Sequence, residues 1–398
     1  MSERFDTVFE SMSEASAIEY LNAQIIELDN PGLKYIAATR LGACTSTGSF
    51  NTLLEIARTP KENLYEKIAR RKAIEALGRR KNKEAIPFLI DALKDHDELT
   101  VINAADSITR INTFLTDLQQ QELLLALNGP DNQKRAVIQA FTRLNLSDPN
   151  KVITQLKSEN NPLVSGAAIA YSCRCQKDNS QLHLIIKQLQ DENAGRRRAA
   201  VIDIGDAGVT SCLGDLVTCP VSMPLKAKSA FQLFCDVDLH SIPLYQVELL
   251  EKLLIDDPRQ LNLLPTWQVS LEPDAIKVQL KHRDEGRQYA AVKALLDLDP
   301  KLQVGLINDL HTNHGSDYGI HYFITSCIGF IGLKDKSNLV TDSLFEEAPQ
   351  YAKSRIAAAW SCLKLSLIEH KEFISTLGDS TQWEPLRWTC KQVSRKLS

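Results

Sequence analysis

Between positions 311 and 322 the chain reads HTNHGSDYGIHY, which places three of its eight histidines beside one aspartate and two tyrosines. An imidazole, a carboxyl and a phenol at such close spacing can donate and accept protons around a polar ligand. The candidates for that acid–base chemistry are Asp317, Tyr318 and His321. His311 and His314 stand three apart, a spacing that also suits a metal. No H-E-x-x-H and no cysteine pair accompanies them, so no metal site is expected. The plainer reading of the stretch is a polar entry into a helix with solvated histidines. A second candidate is the triplet Arg196-Arg197-Arg198. Guanidinium groups grip carboxylates bidentately, and they serve equally well to tie neighbouring helices together through acidic or backbone acceptors. Three in a row exceed what helix stacking requires.

These residues need elements to position them, and a repeat supplies those elements. The clearest copy is EKIARRKAIEALGRRKNKEAIPFLIDALKDHD, residues 66–97. Ala69, Ala73, Ala76 and Leu77 recur at helical spacing and make one small apolar face. Pro87 sits where the first turn of a second helix tolerates it. Neither helix can bury its face alone, so neighbouring copies are required. Aligning the pattern basic-or-aromatic, x, Ala, then Leu/Ile and a small residue gives a column: Tyr35, Arg71, Ile102, Arg135, Gly166, Arg198, Lys228, Tyr289, Tyr322 and Ala357. The period is about 30 residues, that of a HEAT-like helix pair. The gap from Lys228 to Tyr289 is twice that, which predicts one degenerate copy between them.

The predicted fold is therefore all-α, an α-solenoid of about ten to eleven HEAT-like helix pairs with helical caps, continuous over 1–398. Residues 1–30 form an N-terminal cap and 31–218 the regular copies. Residues 219–280 are an irregular segment in which Pro220, Pro224, Pro243, Pro258, Pro265 and Pro273 interrupt the helical period. Residues 281–398 hold the last copies and a C-terminal cap. In such arrays the second helix of each copy lines the concave surface and carries the column. Arginines and tyrosines there suit a flat ligand that bears carboxylates, because the rings stack and the guanidinium groups pair.

Composition narrows the function class. A net charge of −4 argues against a general nucleic-acid binder. No apolar run approaches the roughly 20 residues of a membrane span. The start, MSERFDTVFESMSEAS, has no signal-peptide pattern, and the nine cysteines are scattered, odd in number and without a C-x-x-C. They read as reduced core thiols of a cytoplasmic protein. Walker, dinucleotide, nucleophile-elbow and kinase signatures are missing from the sequence.

The copies RRKAIEALGRRKNKEAIPFLIDALKD and RRRAAVIDIGDAG, the opening RFDTVFESMSEASAIEYLNAQIIELDNPGLKYIAATRLGACTSTGSFNTLLEIA and the late segment SDYGIHYFITSCIGFIG resemble the HEAT-like phycobilin lyases of the E/F clan. The likeness is strongest to the single-chain members that act on phycoerythrins. The resemblance implies a bilin lyase that takes phycoerythrobilin as substrate, with no prosthetic group. It would attach the bilin by a thioether bond to a cysteine of a phycoerythrin α subunit, the acceptor supplying the thiol. On that reading the acid–base chemistry is expected at Asp317, Tyr318 and His321, and the bilin contacts at Arg197, Arg198, Tyr289 and Tyr322. A lyase-isomerase attaching phycourobilin is the alternative within the class. A non-enzymatic scaffold or chaperone for a protein partner is the alternative outside it.

Overall fold

The structure is a computed structural model that describes residues 9–59, 62–235 and 242–397. Among the described residues it contains α-helices and short 3-10 turns and no strand. The chain clusters into two compact units, one ending at Asn179 and the other starting at Ser180.

The first unit holds α1 (Glu14–Asn22), α2 (Leu33–Leu41), α3 (Thr47–Arg58), α4 (Leu64–Arg80), α5 (Ile86–Ala92), α6 (Glu98–Ile111), α7 (Asp117–Leu125), α8 (Asp131–Arg143), α9 (Val152–Gln155) and α10 (Pro162–Gln176). Helices α2, α4, α6, α8 and α10 pack on one another in that order, and the short helices between them cover one side. The column positions fall on these stacked helices, as the periodicity predicts. Close stacking needs small residues. A Cβ added at Gly78 of α4 would lie 2.6 Å from the Ser107 backbone of α6, and Ser107 Oγ donates to the Ile74 carbonyl at 2.9 Å.

The second unit holds α11 (Leu182–Gln188), α12 (Ala194–Ala207), α13 (Leu213–Thr218), α14 (Met223–Leu233), α15 (Leu244–Ile255), α16 (Pro273–Leu280), α17 (Glu285–Leu296), α18 (Pro300–His314), α19 (Tyr318–Ile331), α20 (Ser337–Phe345), α21 (Ala352–Leu365), α22 (Lys371–Ser380) and α23 (Glu384–Lys396). Helix α12 stacks on α14, and α17, α19, α21 and α23 stack in series. The same close approach recurs at Gly205 against Ser229 and at Gly329 against Ser361. Helix α23 also packs on α14 and α15, and Lys396 pairs with Glu251.

The proline-rich segment corrects an expectation. Pro224, Pro258, Pro265 and Pro273 stand in the first turn of α14, of two 3-10 turns and of α16. Pro243 is the residue before α15. These prolines start helices rather than interrupt them, because the first turn has no use for their missing N–H. The degenerate copy expected between Lys228 and Tyr289 is one helix, α15, followed by short 3-10 turns up to α16.

Five helix entries share one cap. Asp97, Asn161, Asn193, Asp284 and Asp317 are the N-caps of α6, α10, α12, α17 and α19. Each stands five residues ahead of its column position (97 to 102, 161 to 166, 193 to 198, 284 to 289, 317 to 322). Each accepts amide hydrogens of the first turn that no helical carbonyl can reach.

Candidate functional site

Three column arginines reach the start of another helix, and for Arg71 and Arg135 it is the next one in the stack. Arg71 on α4 grips Asp97, the cap of α6, at 2.7 and 2.5 Å, and this pairing holds the Asp97 carboxyl down at about 2. Arg135 on α8 donates to the Leu163 carbonyl at the start of α10 at 2.6 Å. Arg198 on α12 forms a fork on Glu285 at the start of α17, at 2.7 and 2.9 Å.

The residue before the column has a different task. Lys34 reaches back to the Leu21 carbonyl at the end of α1, at 2.9 Å. Arg70 does the same to the Ala57 carbonyl near the end of α3, at 2.9 Å, and also pairs with Asp95 at 2.6 Å. Arg197 donates to the Asp191 and Glu192 carbonyls at 2.8 and 3.1 Å. Lys34 and Arg70 thus serve carbonyls that a helix end leaves unsatisfied, and Arg197 serves two carbonyls of the loop that follows α11.

The triplet at 196–198 therefore divides into three structural jobs. Arg196 pairs with Asp191 at 3.2 Å near the surface. Arg197 is 0% exposed, ion-paired with Asp284 and stacked 4.6 Å above the Trp267 ring. Arg198 ties α12 to α17. Of the residues expected to contact a bilin, only Arg198 keeps substantial surface, with a side chain 41% exposed.

Tyr289 and Tyr322 are 2% and 3% exposed and face the interior. Both phenols donate to Asp256 Oδ2, at 2.5 and 2.8 Å. Lys226 of α14 pairs with Asp256 Oδ1 at 2.8 Å, both side chains being 0% exposed. Burial, and then the Asp256 charge, push both phenols well above their ordinary range. The column thus yields two tyrosines that hold a buried carboxylate, not two that stack on a ligand. Asp256 terminates α15 in the left-handed region at φ 56°, inside the segment read from sequence as irregular.

The cluster at 317–322 does come together with other elements. Asp317 Oδ1 accepts from the Gly319 and Ile320 amides at 2.8 and 2.9 Å, the cap role it shares with Asp97 and Asp284. His321 is half-buried, and its Nδ1 meets Ser354 Oγ of α21 at 2.9 Å. Its ring lies 4.7 Å from that of Tyr351, which in turn meets Tyr318 edge-on at 5.0 Å. Tyr318 is 49% exposed, and Tyr351 donates to the Ser316 carbonyl at 3.3 Å. Burial holds the His321 imidazole below its usual range; Glu346 opposes this, while His311 and Lys353 add to it. Lys353 Nζ sits 5.0 Å over the Tyr322 ring. A neutral imidazole, a half-exposed phenol and an ammonium group thus meet at the N-terminal ends of α19 and α21. His311 and His314 lie in the last turn of α18, and among the described residues no group of three or more possible metal ligands is assembled.

Sequence reasoning missed Ser354 and Tyr351, which lie one copy downstream, and Lys226 with Asp256, which lie outside the column. The offset of five between Asx and column position was a readable signal for the cap role of Asp317. Seven of the nine cysteines are buried, Cys175 is half-buried and Cys235 is exposed. Burial raises Cys173 and Cys175 to about 11 and Cys219, Cys327, Cys362 and Cys390 to about 12. Thiols of that kind stay protonated and are poor nucleophiles. No helix among the described residues is long and apolar enough to cross a membrane.

Comparison with known proteins agrees with this architecture. Residues 63–141 match the HEAT repeat family. The chain is 28% identical over 90% of its length to an uncharacterized phycocyanin operon protein Y of Pseudanabaena tenuis, covering 86% of that protein. It is 24% identical over 90% of its length to bilin biosynthesis protein CpeY of a Synechococcus species, covering 88% of it. It is 28% identical to bilin biosynthesis protein PecE of a Nostoc species, over 54% of this chain and 83% of that one. Among solved structures, the CpcE–CpcF complex of phycocyanin lyase from a Nostoc species superposes with a TM-score of 0.52 at 20% identity, over 61% of this chain and 93% of the matched one, which shows a shared fold. Residues 63–141 thus match HEAT repeats, the regular elements among the described residues are all helical, and over 90% of its length the chain is similar to a protein of bilin biosynthesis.

Proposed function

We propose that this protein is a phycobilin lyase. Its substrate would be a linear tetrapyrrole, phycoerythrobilin, and its product a thioether to a cysteine of a phycoerythrin α subunit. The observation that carries this reading is the half-buried His321, held through Nδ1 by Ser354 and flanked by Tyr351 and the half-exposed Tyr318. Similarity to bilin biosynthesis protein CpeY over 90% of the chain supports it.

The reaction is an addition without a leaving group. The acceptor sulfur bonds the exocyclic ethylidene carbon of the bilin, and the thiol proton is balanced by one delivered to the adjacent ring carbon. The chain has to hold the bilin extended, bring the acceptor thiol to it and move one proton. In the tautomer whose Nδ1–H donates to Ser354 Oγ, the neutral imidazole presents Nε2 to accept the thiol proton. The Tyr318 phenol, partly open to solvent, would donate the proton. Lys353, and Arg198 if its fork on Glu285 opens, would supply positive charge for the propionates. Asp317 acts through the helix it caps. Its Oδ1 is taken by the Gly319 and Ile320 amides, and Gly319 brings no acid or base of its own, which favours attachment over a double-bond shift. The buried thiols of this chain fit a nucleophile that comes from the acceptor.

The test is co-expression with a bilin-producing pathway and an apo-phycoerythrin α subunit, reading absorbance of the purified acceptor. Covalent pigment in the phycoerythrobilin range is the expected result. A blue-shifted pigment would assign the lyase-isomerase activity, and a colourless acceptor would make the chain a scaffold or chaperone for a protein partner.

A further inference from the structure

We infer that Asp256 and the Tyr322 phenol bound to it form a positioning device that sets the rotation of α19, and with it the place of His321. This rests on the proposed role of His321 in attachment, but the geometry stands apart from it.

Neighbouring residues of a helix point about 100° apart. His321 and Tyr322 use that angle to anchor α19 in two directions. His321 meets Ser354 of α21 at 2.9 Å, and Tyr322 meets Asp256, at the end of α15, at 2.8 Å. Asp256 cannot follow a displaced partner. Its other oxygen is held by Lys226 of α14 at 2.8 Å, and Tyr289 of α17 shares Oδ2 at 2.5 Å. The carboxylate and the ammonium are 0% exposed, so water cannot replace a lost phenol. Phe323 packs against both tyrosine rings, 5.6 Å from that of Tyr289 and 5.3 Å from that of Tyr322. Lys353, one of the charges acting on His321, lies over the Tyr322 ring. The Tyr322 side chain therefore touches both the fixed carboxylate and one of the groups acting on the imidazole. Helix α17 carries the second phenol of the hub but not the histidine, which makes Tyr289 a matched control.

The experiment compares Tyr322→Phe with Tyr289→Phe. Each removes one buried hydroxyl donated to the same oxygen, and both should lower Tm by similar amounts. The first readout is the His321 titration by NMR on the bilin-free protein, with Glu346, His311, Lys353 and Tyr351 left in place around it. Burial is the main cause holding this imidazole down, so a loosened α19 should move its titration upward in Tyr322→Phe and leave it unmoved in Tyr289→Phe. The second readout is the attachment rate of Tyr322→Phe, expected to fall roughly 10- to 100-fold, as geometric misplacement alone can cause. If Tyr322→Phe does not fold, Asp256→Asn combined with Lys226→Met, which leaves no buried charge unpaired, takes its place. An upward titration with a slower rate supports the inference. An upward titration with an unchanged rate also supports it, and removes His321 from the attachment chemistry instead. An unmoved titration overturns it, and so does an equal response in both tyrosine variants.

Discussion

Replacing Arg197 by methionine tests whether the central arginine of the triplet is scaffold or ligand contact. The side chain is fully buried. The variant leaves the Asp191 and Glu192 carbonyls without their donor and Asp284 without its cation, and Trp267 loses the guanidinium stacked on it. Methionine roughly fills the volume, so the loss is electrostatic rather than a cavity. Breaking a buried pair by removing one partner costs about 3–5 kcal/mol. For a unit of this size each kcal/mol moves Tm by about 2–4 °C, so the transition should fall by roughly 6–20 °C. All four tryptophans, Trp267, Trp360, Trp383 and Trp388, lie in the unit that starts at Ser180. Their fluorescence during a melt therefore reports that unit without interference from the other. Arg198→Met should cost less than about 1 kcal/mol, because its pair is partly solvated. A melt of Arg197→Met within about 2 °C of wild type, together with a raised KM for bilin, would refute the reasoning and return this guanidinium to the ligand.

Three further outcomes follow from the geometry. Asp317→Asn should keep the cap, and with it attachment and the pigment spectrum, whereas Asp317→Ala should lose about 1 kcal/mol in a denaturation series; attachment abolished in the Asn variant at unchanged stability would show that the carboxylate does chemistry. Gly78→Ala drives a methyl into the Ser107 backbone and should destabilise by about 1–3 kcal/mol. Gly305→Ala, in a helix position where the added methyl meets open space, should instead stabilise by up to about 1 kcal/mol, and equal responses in the two would sink the close-stacking argument. The third outcome concerns pH. His321 has a folded pKa below its unfolded value of about 6.5, so its contribution to stability is present above that value and is lost as pH falls through the folded pKa. Melts between pH 7.5 and 5.5 should show a steeper decline for wild type than for His321→Gln, and parallel declines would contradict the burial argument.

What the sequence made legible was whatever repeats. Small residues and a basic or aromatic column recur every thirty or so positions, and each copy reports the same local geometry. Gly78, Gly205 and Gly329 could be read as close-approach positions because they follow the column at a fixed distance. The prolines misled because a proline at the start of a helix and one inside it look alike until the boundary is known. The site was half legible. His321 and Tyr318 stood out by residue type, but their partners Ser354 and Tyr351 come from the following copy. Tyr289 and Tyr322 drew the wrong inference because the column looks the same whether it faces a ligand or a buried carboxylate. Asp256 lies 33 residues from one phenol and 66 from the other, in a stretch with no repeat to align, so nothing local marked it.

The Lys226–Asp256–tyrosine hub also limits how such a chain can change length. Repeat arrays ordinarily gain and lose whole copies, because each copy depends only on its neighbours. In the first unit the ties obey that rule: Arg71 reaches the next helix entry, and so does Arg135. Between Lys226 and Tyr322 they do not, since three helices converge on one carboxylate supplied by a segment that no other copy duplicates. Deleting or inserting a copy there would strand a buried charge. The block from Arg197 to Tyr322, which the Arg197–Asp284 and Arg198–Glu285 pairs also bridge, should therefore keep a fixed length in working versions of this protein, and duplication or loss of copies should fall outside it.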